Sequence, residues 1–239
     1  MTEQENLLVE QVVTKRKPVV PLRGMLVYPA TETHLDLGRK FSVQAVQTAL
    51  REEEEVLLAF QKNIDGGLPT EETLYPIGVI AKIRRSISLP VDGMRVVVRA
   101  ERRVKITQFD IQEEMITAEY EEMSFDTATD DGFLVQQRVL KAAFEDYVKR
   151  NNRLNAEGLA KIQETNDLED RLNMISSFLN VSLAEKYELL AQDSAMEKAA
   201  LLLELFIREN IKHPIDCVLI DECQFLKKHH VQELVEIVD

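Results

Sequence analysis

The chain has 239 residues, of which 45% are hydrophobic and 30% are charged, a balance typical of a soluble globular protein with one large domain or two smaller ones. Its 29 Lys and Arg against 42 Asp and Glu give a net charge of −13, which disfavours the basic surface that nucleic-acid and anionic-membrane binders need. No apolar run approaches the ~18 residues of a membrane span, and the acidic N-terminus lacks the pattern of a secretory signal. The acidic charge favours protein partners. With only two cysteines and no secretory signal, we expect a reducing, cytoplasmic setting.

The first half of the chain predicts a flexible arm followed by a β-rich lobe. Residues 1–17 are polar with scattered apolar positions, whereas residues 18–122 alternate short apolar runs with prolines and glycines. A helix is predicted at 41–51, where apolar residues recur at helical spacing. Strands are predicted within 18–38 and at 56–61, 78–87, 94–100, 103–110 and 115–122. About six strands with non-local pairing predict a small twisted barrel or sandwich.

A hairpin loop at 88–93 is the first candidate for a binding surface. Its Asp92-Gly93 pair is a hairpin signal, and several apolar residues at its tip are poorly placed for burial in their own lobe. Exposed apolar clusters often mark binding sites, although capping of the barrel core explains the same residues. The predicted substrate-binding residues are Ile87, Leu89, Pro90, Val91 and Met94, extended by Met25, Leu26 and Tyr28.

The densest basic cluster raises the question of nucleic acid. It comprises Arg84, Arg85, Arg99, Arg102 and Arg103. No aromatic residue interleaves them to stack on bases, and the surrounding charge is negative. A solvated strand face with cross-strand ion pairs is the favoured interpretation, so nucleic acid is not an expected partner.

The second half predicts a helical bundle. Residues 123–132 form a polar, turn-prone linker, and apolar residues then recur with a helical period. The predicted helices of this subdomain, at 133–210, are 133–151, 155–164, 167–180, 183–192 and 194–210. The last helix is so apolar that it needs partners on several sides.

The final segment, 211–239, predicts a separate β-α unit. An apolar run at 215–220 is typical of a buried strand, Asp221 and Glu222 stand at its carboxyl end, and a helix follows. An apolar strand ending in Asp-Glu is the Walker B arrangement, in which the aspartate holds Mg²⁺. A zinc site is not expected, because the spacings of the candidate ligands match no standard ribbon or finger. These candidates are His213, Cys217, Cys223 and His229.

Five stretches within about 18–210 occur in a distinctive order. They are PVVPLRGMLVYP, HLDLGRKFSVQAVQTAL, YPIGVIAKI, ISLPVDGMRVVVRAERRVKI and NDLEDRLNMISSFLNVSLAEKYELL. In this order they resemble one family, the N-terminal domain of ATP-dependent Lon proteases. The resemblance implies an α+β fold in which a β-rich, PUA-like pseudo-barrel precedes a helical bundle. It also implies recognition of unfolded or degron-bearing proteins, in protein quality control, by a domain attached to a hexameric ATPase and serine protease.

Catalysis is not expected in this chain. No Gly-x-x-x-x-Gly-Lys-Ser/Thr segment is present to cradle nucleotide phosphates, and no serine has the glycine-rich context of the family's Ser-Lys protease site. We therefore expect no cofactor here, whereas the resemblance implies ATP and Mg²⁺ in the parent enzyme. A stand-alone adaptor of the same family is the alternative.

The final segment resembles a different family, the thymidine kinases with an Asp-Glu-x-Gln-Phe motif. By position, Glu222 matches their catalytic base and Asp221 their magnesium-associated aspartate. The kinase's P-loop strand, lasso and zinc ribbon have no counterpart in this sequence, so we expect neither kinase activity nor a metal. The resemblance implies a composite chain, with the remnant of a thymidine kinase fusion as a further alternative.

Overall fold

The computed structural model describes residues 15–52, 55–63, 68–89, 92–128, 131–151 and 156–211. These residues pack as two compact units. Unit 1 comprises 15–23, 34–98 and 103–122, and unit 2 comprises 24–33, 99–102 and 123–211. Two short segments inside the predicted β-rich range, 24–33 and 99–102, therefore group with the helices.

The β-rich part contains six strands and one α-helix, as an α+β fold requires. Its elements are β1 (Lys15–Leu22), β2 (Glu32–Leu37), α1 (Lys40–Glu52), β3 (Glu55–Phe60), β4 (Ile77–Ser88), β5 (Met94–Ile111) and β6 (Ile116–Glu122), with a 3₁₀ turn at Glu71–Thr73. β1 begins three residues inside the predicted arm. Ion pairs to the neighbouring strand account for this earlier start. Lys15 lies 3.0 Å from Glu122, and Arg16 lies 3.2 Å from Glu119.

The prediction of two strands at 94–100 and 103–110 is wrong, because β5 runs unbroken from Met94 to Ile111. Neither glycine nor proline separates the two predicted runs, so nothing in the backbone forces a turn there. An irregularity in the pairing with β6 between Ile106 and Gln108 lets the long strand bend instead.

The strand order closes most of the sheet into a ring. The order is β2-β5-β4-β3-β1-β6, and β6 pairs again with β5, so five strands form a closed circuit and β2 lies outside it. This outcome is the predicted small barrel. Closure removes the exposed edges of the five ring strands, leaving β2 at the end of the sheet.

The core of unit 1 lies between the ring strands and α1. Val19 of β1 faces Leu57 of β3 in a parallel pair, and both side chains are fully buried with Phe41 of α1. Gly78 of β4 is tightly enclosed, since a Cβ atom there would lie 2.8 Å from the carbonyl oxygen of Leu58. That close approach explains why a glycine is the second residue of the strand.

Unit 2 contains the five predicted helices. They are α2 (Asp131–Asn151), α3 (Ala156–Glu164), α4 (Leu168–Phe178), α5 (Leu183–Ala191) and α6 (Ala195–Ile211). Aromatic side chains hold the bundle together around Phe206, whose ring centroid lies 5.1 Å from that of Tyr147 and 5.8 Å from that of Phe144. The apolar last helix therefore finds its partners within this unit, as its sequence predicts.

The start of α5 is fixed by a capping box. The Ser182 hydroxyl accepts a hydrogen bond from the Glu185 amide, and the Glu185 carboxylate accepts one from the Ser182 amide at 2.8 Å. Hydrogen bonds from Ser182, supported by Arg208 of α6 at 2.6 Å, lower the pKa of Glu185 from 4.5 to about 2. The ionised carboxylate thus ties two helices of unit 2 together.

Gly78→Ala should destabilise the chain by about 2 kcal/mol, because the added methyl group meets backbone that cannot move freely. The matched control is Gly38→Ala, since nothing lies within 4 Å of a Cβ at that position. Urea unfolding of both variants measures the difference. Equal free energies of unfolding for the two variants would show that the close approach at Gly78 does not affect stability.

Glu185→Gln should cost about 1 kcal/mol of stability near neutral pH, because the charged half of the capping box is lost. The folded pKa lies below the ordinary value, so the carboxylate stabilises the fold above about pH 4.5 and loses that effect as the pH falls toward about 2. The difference in free energy of unfolding between parent and variant, the stability gap, should therefore decrease toward zero as the pH falls over that range. Thermal unfolding followed at several pH values tests this, and a gap that is independent of pH would refute it.

Candidate functional site

The chain reverses between β4 and β5, where the sequence predicts a hairpin. The Leu89 amide donates a hydrogen bond to the Gly93 carbonyl at 2.8 Å. Asp92 adopts a φ of 57°, in the left-handed region that Asp tolerates better than most residues. The turn therefore presents the ends of both strands at one tip.

The hairpin residues differ in exposure. Ile87 is 62% exposed, more than any other large apolar side chain among the described residues, and Leu89 is half-buried. Met94 is buried, which corrects the expectation that it belongs to an exposed patch. Strand alternation is the reason, because Met94 lies on the same inward face of β5 as Val96. Pro90 and Val91 lie outside the described residues.

The three residues expected to extend the patch group with the other unit. Met25 and Leu26 are half-buried there. Tyr28 is buried, and its phenol donates a 2.7 Å hydrogen bond to the backbone carbonyl of Lys186, so it is not a surface residue. Burial also raises the pKa of its hydroxyl. The inclusion of Tyr28 in an exposed patch is therefore wrong.

A buried lysine lies near the ring of Tyr28. The ammonium of Lys198 lies 5.7 Å from the centroid of the Tyr28 ring and 5.9 Å from that of Phe125. It also donates a hydrogen bond to the Asn173 side chain. Cation–π contacts and hydrogen bonds compensate for the loss of water around a buried ammonium. Tyr28 therefore has a structural role inside unit 2, through its hydrogen bond to Lys186 and its contact with Lys198.

An open, charged depression that the sequence does not indicate lies beside the hairpin in unit 1. The exposed residues His34 and Asp36 of β2 and Arg95 of β5 line this depression, whose volume is about 450 Å³. Two hydrogen bonds, of 2.6 and 2.8 Å, join the Arg95 guanidinium to the Asp36 carboxylate. These bonds hold the pKa of Asp36 below its ordinary value. Alternation predicts that Asp36 and Arg95 face outward, but the register that pairs them comes only from the structure.

The basic cluster is only partly a solvated strand face. Arg84, Arg85 and Arg99 are exposed, and Arg99 lies 3.7 Å from the Glu101 carboxylate. Arg103 is buried, which corrects the expectation for that residue. The cluster therefore does not present one continuous basic surface.

The residues predicted for the final segment, including Asp221 and Glu222, lie outside the described residues. Within the part of the chain that the structure describes, no group of three His, Cys, Asp or Glu residues is arranged to hold a metal ion. None of the helices in that part combines the length and the apolar character needed to cross a membrane.

Comparisons with known proteins agree on one family. The model of the ATP-dependent protease La (LON) substrate-binding domain matches residues 16–208. Lon protease of Brevibacillus choshinensis is 29% identical over 192 residues, which are 80% of this chain and 25% of that protein. Lon protease of Heliobacterium modesticaldum is 30% identical over 209 residues, which are 87% of this chain and 25% of that protein. The chain thus spans about a quarter of the length of the curated relatives it matches.

Solved structures show the same fold. The N-terminal domain of a Mycobacterium avium complex Lon protease has a TM-score of 0.66 at 20% identity, covering 81% of this chain and 98% of that one. A Lon N-terminal domain protein from Xanthomonas campestris has a TM-score of 0.55 at 14% identity, covering 80% and 98%. With the family model matched over most of its length, the chain belongs to the Lon substrate-binding domain family.

Proposed function

We propose that this chain recognises unfolded or degron-bearing protein segments for a Lon-type ATP-dependent serine protease acting in protein quality control. The observation that carries the proposal is the exposure of Ile87 at 62%, next to the half-buried Leu89, on the hairpin of unit 1. Unfolded proteins expose apolar side chains that folded proteins bury. An exposed isoleucine near the end of a strand is a suitable place for such side chains to bind.

The expected affinity of one such site is low. Full burial of an isoleucine-sized side chain contributes about 1.5–3 kcal/mol, and ordering a flexible client segment offsets part of that. Weak capture suits a protein that must release many different clients. In a ring of several copies, linked sites would raise the overall affinity without any new contact. ATP hydrolysis and peptide-bond cleavage belong, in this proposal, to other domains of the parent enzyme.

Ile87→Asp should weaken binding of reduced, carboxymethylated lactalbumin about tenfold, because an aspartate must lose its water when an apolar segment covers it. The matched control is Leu68→Asp, since Leu68 is 57% exposed in the same unit but lies outside the hairpin. Fluorescence anisotropy of labelled lactalbumin measures both. Met94 is not a suitable target, because its burial makes Met94→Asp a folding defect.

The outcome that contradicts the site is an equal affinity of Ile87→Asp and the parent, with thermal unfolding unchanged. Equal losses in Ile87→Asp and Leu68→Asp would indicate a general effect of negative charge. Only a loss of affinity confined to Ile87→Asp supports the hairpin as the binding site.

The alternative that the final segment is the remnant of a thymidine kinase fusion has a test of its own. The family match ends at residue 208, and the resemblance of 214–239 to thymidine kinases concerns residues beyond it. A fusion remnant with a working nucleotide site would bind Mg-ATP and lose that binding in Glu222→Gln. Equilibrium dialysis with Mg-ATP separates this alternative from the substrate-recognition proposal, which requires no nucleotide in this chain.

A further inference from the structure

The last five residues of β4 are exposed on both faces of the strand. The strand is mostly buried as far as Ile83, whereas residues 84–88 are all exposed. Because side chains alternate along a strand, Arg85 and Ile87 lie on one face, about 7 Å apart, and Arg84 lies on the other. The exposed isoleucine therefore shares its face with an exposed guanidinium.

The charge of this strand is positive, although the chain as a whole carries a net charge of −13. Lys82, Arg84 and Arg85 are the only charged residues of β4. The sequence has no acidic residue between Glu72 and Asp92. An apolar client bound on β4 thus lies in a local field of opposite sign to that of the whole molecule.

The acidic side chains of nearby strands already have cationic partners. Glu55 of β3 lies 3.3 Å from the ammonium of Lys17. Asp36 of β2 accepts two hydrogen bonds from Arg95. The first residues of β5, 94–98, include no acidic side chain. These carboxylates are therefore neutralised by partners other than the charges of β4.

Screening by salt makes the nearest charge decide the interaction with a client. At physiological ionic strength, exposed charges more than about 8 Å apart are largely screened from each other. Arg85 is two residues from Ile87 on the same face, which is within that distance. Asp92 lies past the end of the strand, seven residues from Arg85. A carboxylate held beside Ile87 would therefore be attracted by Arg85 despite the net charge.

We infer that Arg85 determines specificity, by favouring extended client segments in which an acidic residue lies two positions from the apolar residue that contacts Ile87. This inference rests on the proposed function and specifies which clients bind most tightly. In an extended client, residues two positions apart also lie about 7 Å apart on one face, so both can meet their partners at once. A guanidinium forms directed, charge-assisted hydrogen bonds with a carboxylate.

Nucleic acid is a less suitable ligand for this face. β4 has no aromatic side chain on which a base could stack. The contact expected at Ile87 is with an apolar side chain, which nucleic acids do not offer. The favoured ligand is therefore a protein segment that combines apolar and acidic residues.

A set of peptides tests this preference on the unmodified chain. The reference peptide has about thirteen residues, mostly serine and threonine, with a central isoleucine and asparagines two positions before and after it. In two further peptides, aspartate replaces one or the other asparagine. At about 0.15 M salt, at least one aspartate peptide should bind about threefold more tightly than the reference, which is the effect of one exposed ion pair. Competition with labelled, carboxymethylated lactalbumin, followed by anisotropy, measures each affinity.

A fourth peptide controls for net charge. It keeps both asparagines and carries its aspartate six positions from the isoleucine, about 20 Å away in an extended chain. Its affinity should equal that of the reference, because the charge then lies outside the screening distance.

Two protein variants locate the preference. Arg85→Gln should bind the aspartate and asparagine peptides equally and leave the affinity for the reference unchanged. The matched control is Lys105→Gln, which changes the net charge equally at an exposed position ten residues past Arg95 on β5. It should keep the threefold preference. Thermal unfolding of both variants checks that each is folded.

Equal binding of the near-aspartate and reference peptides would overturn the inference and leave the proposed function intact. A preference that persists in Arg85→Gln, or is lost equally in Lys105→Gln, would do the same, as would lactalbumin binding with which no peptide competes. Absence of binding by lactalbumin and by every peptide would instead refute the proposed function. A preference for the near aspartate that is lost only in Arg85→Gln supports the inference.

Discussion

The pairing of one long strand determines most of this structure. β5 bonds to β2, β4 and β6, so the closed ring, its hairpin and its outlying edge strand all depend on that strand. The irregularity between Ile106 and Gln108 allows it to bend enough to meet β6. Four residues of the same strand, 99–102, belong to unit 2, where Ala100 exchanges backbone hydrogen bonds with Ala30 and Thr31. Disruption of β5 would therefore affect the ring, the hairpin and β2 together.

The features proposed for function follow from this pairing. Because β5 begins at the hairpin, its first residues fix both the apolar tip and the ion pair that joins Arg95 to Asp36. Because the ring is closed by β6, the free edge lies on β2 and on no ring strand. The proposed binding surface therefore lies near the start of β5 in unit 1, where the hairpin carries the exposed Ile87. Weak apolar contact without strict sequence demands is a physically reasonable way to hold unfolded clients.

Local patterns in the sequence predict the elements of this fold well. The helical spacing of Phe41, Ala45 and Val46 predicts α1, and those side chains are buried. Asp92-Gly93 predicts the hairpin, and the chain reverses there with a positive φ at Asp92. The α+β class and all five helices of the bundle are confirmed, because periodicity and caps are encoded within a few neighbouring residues.

Properties that depend on distant pairing could not be predicted in this way. The exposure expected for Met94 and Tyr28 is wrong because burial depends on which face of a strand turns inward and on partners such as Lys186, 158 residues away. The bond between Asp36 and Arg95 spans 59 residues and depends on strand register.

Capture of clients at the hairpin is tested by photocrosslinking from a benzoylphenylalanine at position 87, compared with position 68, to carboxymethylated lactalbumin. We expect the crosslinking yield from position 87 to be well above that from position 68. Equal yields from both positions would rule out the hairpin as the preferred binding surface.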